Sequence, residues 1–141
     1  VEVVAEWGEW RCTISDAEDY LAKALENLAA AQSDQTAGRY NTCASRAYYA
    51  CFLAAIVALI RADLRATSGW RHDFVASRFV GVLIGQRHLY DRELRGVLSD
   101  LIHNRHIADY ASRSVSKSRA ESAVRAAIRF VEAVQRRGSR Q

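Results

Sequence analysis

The sequence predicts an all-α protein, an antiparallel bundle of about five helices. Three observations predict it. The chain has no proline and only seven scattered glycines, so little in it breaks a helix. Alanine, the strongest helix former, is abundant. Apolar residues recur at three- and four-residue intervals in successive stretches, the spacing that lines one helix face. The length of 141 residues suits a single domain with its own core. The expected division is an N-terminal extension over 1–14, the bundle over 15–137 and a disordered tail over 138–141.

Each element has its own signature. Ser15 to Glu18 has the capping-box form that opens a helix. Ala17, Tyr20, Leu21, Ala24, Leu25, Leu28 and Ala31 then form one stripe, and this helix should end near Ser33–Gly38. A second helix should run from about Arg39 to Ala66, with Ala44, Ala47, Tyr48, Cys51, Phe52, Ala55, Ile56 and Leu59 on one face. Tyr49, Leu53, Ile60 and Leu64 broaden that apolar surface past half the circumference, which suits the centre of a bundle or a dimer interface. Arg46 stands at its start. Thr67 to Gly69 is a break. Trp70, Phe74, Val75, Phe79, Val82 and Leu83 predict a third helix over 71–84, opened by His72. A fourth, from about Asp91 to Asp109, carries Leu94, Val97, Leu98, Leu101 and Ile102. The last should start near Ser116–Ser118, with Ser118 and Glu121 as a second capping box, and turn Ala120, Val124, Ala127, Ile128, Val131 and Val134 inward. Trp7 and Trp10, with Val3 and Val4, give the N-terminal extension an apolar face suited to packing on the bundle or on a partner.

Charge and cysteine usage narrow the setting. The net charge is +4, and Arg113, Lys117, Arg119, Arg125, Arg129, Arg136, Arg137 and Arg140 crowd the C-terminal third. Such a distribution fits either a solvated helix face or a track for a phosphate backbone. Cys43 and Cys51 fall eight residues apart on one predicted helix, about 12 Å along its axis, too far to bridge. With Cys12 and no CxxC pair, they read as reduced thiols of a cytoplasmic protein. No apolar run reaches the roughly 18 residues of a membrane span, and the N-terminus has no secretory pattern. No membrane association is expected.

The stretch from Leu94 to Tyr110 concentrates the chemistry. At about 100° per residue, Arg105 falls on the side of Leu98 and Ile102, with Asp109 one turn further on. An arginine on a packing face needs a charge partner or a phosphate, because an unpaired buried charge is costly. Asp109 is the nearest partner, and an anionic ligand is compatible with it. Asp100, His103, His106 and Asp109 recur every third residue. That row drifts round the helix, so it reads as a hydrated polar face, and no metal or cofactor is expected. No phosphate-cradling glycine loop, zinc-finger spacing or nucleophile elbow is present. The paired tyrosines Tyr48 and Tyr49 lie at core spacing and read as packing; the other reading is a base-stacking platform.

Three stretches together carry a family likeness: Gly38 to Ala55 with its SRAYYA core, His72 opening the third helix, and Leu98 to Tyr110 with Arg105, Ala108, Asp109 and Tyr110 at its end. In that order the chain resembles the HEPN domain, in its small single-domain prokaryotic branch, from Asp16 to Arg136. The resemblance implies an up-and-down helical bundle that forms a homodimer. It implies a nucleotide or RNA as ligand, and for several members a restraining nucleotidyltransferase partner in a toxin–antitoxin or defence system. Many HEPN domains are metal-independent ribonucleases. Their site is an arginine followed a few residues later by a histidine, repeated across the dimer interface. The arginine would hold the scissile phosphate and stabilise the transition state, and the histidine would move protons.

Arg105 matches that arginine. The positions allowed for the histidine hold Tyr110, Ala111 and Ser112, so the nuclease pair is incomplete. Tyr110 is a replacement proton donor, although an ordinary phenol titrates far above neutral pH; His106 is another. The expected reading is a dimeric binding or regulatory HEPN protein with Arg105 and Asp109 at its centre and Arg46 and His72 as ligand-binding residues. The alternative is a metal-independent endoribonuclease built on Arg105, with Asp109, Tyr110 or His106 in the proton-transfer role. A third is an assembly module in which the Arg105–Asp109 pair only joins helices.

Overall fold

A computed structural model describes residues 14–139. Among them are five α-helices and no strand: α1 Ile14–Thr36, α2 Tyr40–Arg61, α3 His72–Arg78, α4 Val97–Tyr110 and α5 Lys117–Ser139. The predicted all-α bundle is therefore what forms. Cys12 and the Trp7/Trp10 segment lie outside the described residues.

Helix α2 is the axle. Its apolar surface leaves fourteen residues buried, from Cys43 to Ile60, and α1, α4 and α5 pack around it. Many are alanines, so neighbouring helices can approach closely. By length and composition alone Tyr40–Arg61 is apolar enough to cross a bilayer, contrary to the expectation from the apolar run; 78% of its most apolar window is covered by the rest of the fold. The core continues through Phe79, Leu83, Leu98, Leu101, Phe130, Val131 and Val134, and the Phe79 and Phe130 rings meet at 4.8 Å between centres. Cys43 and Cys51 are buried free thiols. Burial, and secondarily Asp34, pushes Cys43 up to about 11, and burial pushes Cys51 higher still. Neither is ionised near neutral pH, which removes thiolate chemistry.

Helix ends follow from local chemistry, and several differ from the sequence expectation. α1 closes on Gly38, at φ +79°, with Arg39 N donating to Asp34 O at 2.8 Å and Gly38 N to Gln35 O at 3.2 Å. This is the Schellman arrangement, and glycine takes its left-handed position without a Cβ clash. α2 stops at Arg61 instead of reaching Ala66. Asp63 takes the left-handed position, at φ 61°, and Leu64 N reaches back to Leu59 O at 2.9 Å. α1 begins at Ile14, one residue before Ser15. The third segment is α-helical only to Arg78, then continues as a π-helix over Phe79–Gln86. The fourth is divided: Asp91 caps a 3-10 turn, Arg92–Leu94, through Glu93 N at 2.9 Å, and the α-helix starts only after Gly96. Ser116, not Ser118, caps α5, its Oγ accepting from Arg119 N at 3.1 Å. α5 runs to Ser139, so the first two residues of the expected disordered tail are helical.

Two polar clips tie the far end of α4 to its neighbours. Asn41, in the first turn of α2, accepts from Val115 N at 2.8 Å and donates to Ser114 Oγ at 3.3 Å. Arg119 donates to the buried Asn104 at 3.0 Å. Together they fix where the α4–α5 link leaves the bundle, and hence where Asp109 and Tyr110 stand. The core carries the stability: Phe130→Ala should lower it by about 3–5 kcal/mol, read as a shifted denaturant midpoint at unchanged slope.

Candidate functional site

α2 and α4 run antiparallel, and the register is visible in their contacts. Ser45 Oγ reaches Asp109 Oδ2, a long contact at 3.5 Å. One turn along α2, Tyr48 and Tyr49 lie under Arg105, one turn back along α4. The Arg105 guanidinium carbon is 5.5 Å from the Tyr48 ring centre and 5.1 Å from that of Tyr49. Arg105 Nε donates to Asp109 Oδ2 at 3.2 Å, and the two side chains are 21% and 33% exposed. The arginine therefore has the predicted carboxylate partner, and it also has two aromatic faces beneath it.

Magnitudes decide what this pair is for. A partly exposed ion pair one helical turn apart contributes only about 0.3–0.5 kcal/mol. Each ring adds about 0.5–1 kcal/mol. Arg105 is thus oriented by several weak contacts without being locked away. Burial alone draws its pKa down, but Tyr49, the Asp109 hydrogen bond and Tyr110 outweigh it, so the guanidinium stays charged. An oriented cation near the surface is suited to an anion such as a phosphate.

The remaining predicted residues fall into two groups. His72, at the start of α3, comes to the same centre: its Nδ1 shares a 3.0 Å hydrogen bond with the Tyr48 hydroxyl. Tyr48 is buried, and burial, which outweighs the pull of Arg105, pushes its phenol up to about 12. Burial lowers the pKa of His72, His106 and Arg105 lower it further, and Asp73 opposes the shift. The imidazole is therefore neutral at pH 7. His106 and Tyr110 stand outside, with ring centres 6.0 Å apart, and Tyr110 is 73% exposed. Its outward position gives it no hydrogen bond to Arg105 among the described residues. The Asp100, His103, His106 and Asp109 row does not converge, and no group of three or more potential metal ligands occurs among the described residues.

Arg46 lies on the α1 side of Tyr49. It donates to Asn27 Oδ1 at 3.0 Å, and its guanidinium carbon is 5.1 Å from the same ring centre. Beside it an open groove of about 340 Å³ is lined by Lys23, Glu26, Asn27, Ala30, Arg46 and Leu53. Sequence reasoning does not reveal that Tyr49 joins the two arginines. The available signal is spacing, since Arg46 and Tyr49 are three apart on one helix face. Tyr48 is packed as expected, but it also supports Arg105 and holds His72. Of the basic C-terminal third, Arg113 is exposed in the α4–α5 link and Lys117, Arg125 and Arg129 are exposed on α5.

A family model described as HEPN domain matches residues 17–137. No curated protein matches the chain.

The lowered pKa of His72 gives a pH signature. The unfolded chain protonates this histidine more readily than the folded one. Its contribution to stability is therefore full above the ordinary value of 6.5 and is lost as the pH falls through the depressed value. The melting temperature should drop as the pH falls below 6.5, and His72→Gln should flatten that drop. Equal slopes in the two proteins would remove His72 from the buried network.

Proposed function

The chain belongs to the HEPN domain family, and from that premise we propose that it is a dimeric nucleotide- or RNA-binding module with Arg105 at the centre of its site. Family membership supports a nucleotide- or RNA-associated role in general. The observation that carries the finer reading is Arg105 itself, charged, supported by Tyr48 and Tyr49 and only weakly neutralised by Asp109. Asp109 keeps the guanidinium aimed while leaving donors for a phosphate. Positions 110–112 hold Tyr, Ala and Ser, so no histidine follows in the register that HEPN nucleases use, and this favours binding over cleavage. The role proposed is regulatory, in a toxin–antitoxin or defence system, with a nucleotidyltransferase as partner protein. The dimer would bring two Arg105 sites together. The cell compartment proposed is the cytoplasm.

One observation favours a second reading. His72 is neutral at pH 7 and bonded to the tyrosine beneath Arg105. A histidine from α3 can therefore serve as proton acceptor where none follows Arg105 in the register that HEPN nucleases use, which would give a metal-independent endoribonuclease. Asp109, Tyr110 and His106 are the other proton-transfer groups for that reading.

Both are tested with a panel of labelled RNAs in excess EDTA, with Arg105→Ala alongside. The expected result is RNA binding without cleavage, weakened at least about tenfold in Arg105→Ala. The variant should lose only about 1–2 kcal/mol of stability. Cleavage by the wild type that vanishes in the variant selects the nuclease. A folded Arg105→Ala protein with unaltered binding and no cleavage change would overturn the site.

A further inference from the structure

Arg46 and Arg105 differ in one respect that matters for ligand binding. Arg105 has a carboxylate partner; Arg46 has none among the described residues. Arg46 touches an amide oxygen, Asn27 Oδ1 at 3.0 Å, and the face of Tyr49. Both orient a guanidinium, and neither cancels its charge. Glu26 lines the same groove but makes no ion pair with Arg46. On the same groove, Lys23 adds a second cation on an exposed position of α1. The groove lining therefore carries two cations, Arg46 and Lys23, against the one carboxylate of Glu26.

Both guanidinium carbons lie 5.1 Å from the Tyr49 ring centre, so they are at most about 10 Å apart. Neighbouring phosphates of one strand fit within that span. Tyr49 is half-buried, and both guanidinium groups lie over its ring. We infer that Arg46 and Lys23 form a second phosphate subsite in the α1–α2 groove, continuous with Arg105 across Tyr49. The ligand class is a single-stranded oligonucleotide held by successive phosphates, not a mononucleotide. This deepens the binding reading above and rests on it. Asn27 is the positioning residue, because its amide accepts from Arg46 and turns the guanidinium along the groove.

The test is the salt dependence of binding to a fluorescein-labelled uridine RNA decamer and a thymidine DNA decamer, by anisotropy. For a single strand, the slope of log K against log salt becomes shallower by about 0.7 for each phosphate the protein no longer neutralises. Arg46→Gln should lower decamer affinity about tenfold and reduce the slope by about 0.7. Arg46→Lys should restore most of the slope. Lys23→Gln, at an exposed position, should reduce the slope without lowering the melting temperature, and it serves as the readout if Arg46→Gln fails to fold. Similar reductions with RNA and DNA support recognition through phosphates. Weaker binding with no change in slope assigns Arg46 to folding and overturns the inference. Wild-type binding that needs Arg105 but is unchanged in folded Arg46→Gln and in Lys23→Gln overturns this inference alone. No wild-type binding of either decamer at low salt overturns it together with the reading it rests on.

Discussion

The site depends on how Arg105 sits on two tyrosines of a different helix. A guanidinium is hydrated weakly for a cation and lies well on an aromatic face, whereas full burial without compensation would be prohibitive. Tyr48 and Tyr49 solve this by supplying electron-rich surface at 5.5 and 5.1 Å while leaving the outer edge of Arg105 open. Asp109 then fixes the direction of Nε. Moving α4 along α2 by one turn would take Arg105 off both rings and Asp109 away from Ser45 at once. The packing register of two helices is thus the constraint on which the chemistry rests.

That register is itself set by groups remote from the arginine. The alanine-rich α2 allows close approach of its neighbours, and Leu98, Leu101 and Ile107 anchor α4 against the core. Asn41 holds the link that follows α4, and Arg119 holds Asn104 from α5. No buried side-chain nitrogen or oxygen of the described residues lacks a partner, so the polar groups between helices specify alignment without leaving an unsatisfied cost. The aromatic and polar contacts then meet in one layer, from Arg46 through Tyr49 and Arg105 to Tyr48 and His72.

Much of this is legible in the chain. The stripes of α1, α2 and α5 mark most of the core, although Leu25 of the α1 stripe is exposed and the buried Phe130 lies outside the α5 stripe, and the helical interval from Arg105 to Asp109 marks an ion pair. The HEPN resemblance, carried by Arg46, Tyr48, Tyr49 and Arg105 to Tyr110, agrees with the family match. Sequence and structure part where two local rules compete. The apolar pattern continues to Leu64 and predicts helix through Asp63, but a left-handed aspartate ends the helix and uses Leu64 in the closing turn. Ser118 satisfies a capping pattern, yet Ser116 takes the cap because the chain turns into α5 two residues earlier. Gly81 and Gly85 signal an irregular third helix, although no spacing rule specifies a π-helix.

The helices and their buried faces follow from the chain alone, because periodicity is local and each helix carries its own pattern. So does the reach of Arg105 to Asp109, a contact inside one helix. The packed fold was needed to bring His72 to Tyr48, to set Tyr49 between Arg46 and Arg105, and to open Arg46 on a groove with Lys23. Those contacts join helices whose separation in the chain carries no record of their separation in space. They form only when the packed register of α1, α2, α3 and α4 brings the side chains to one layer.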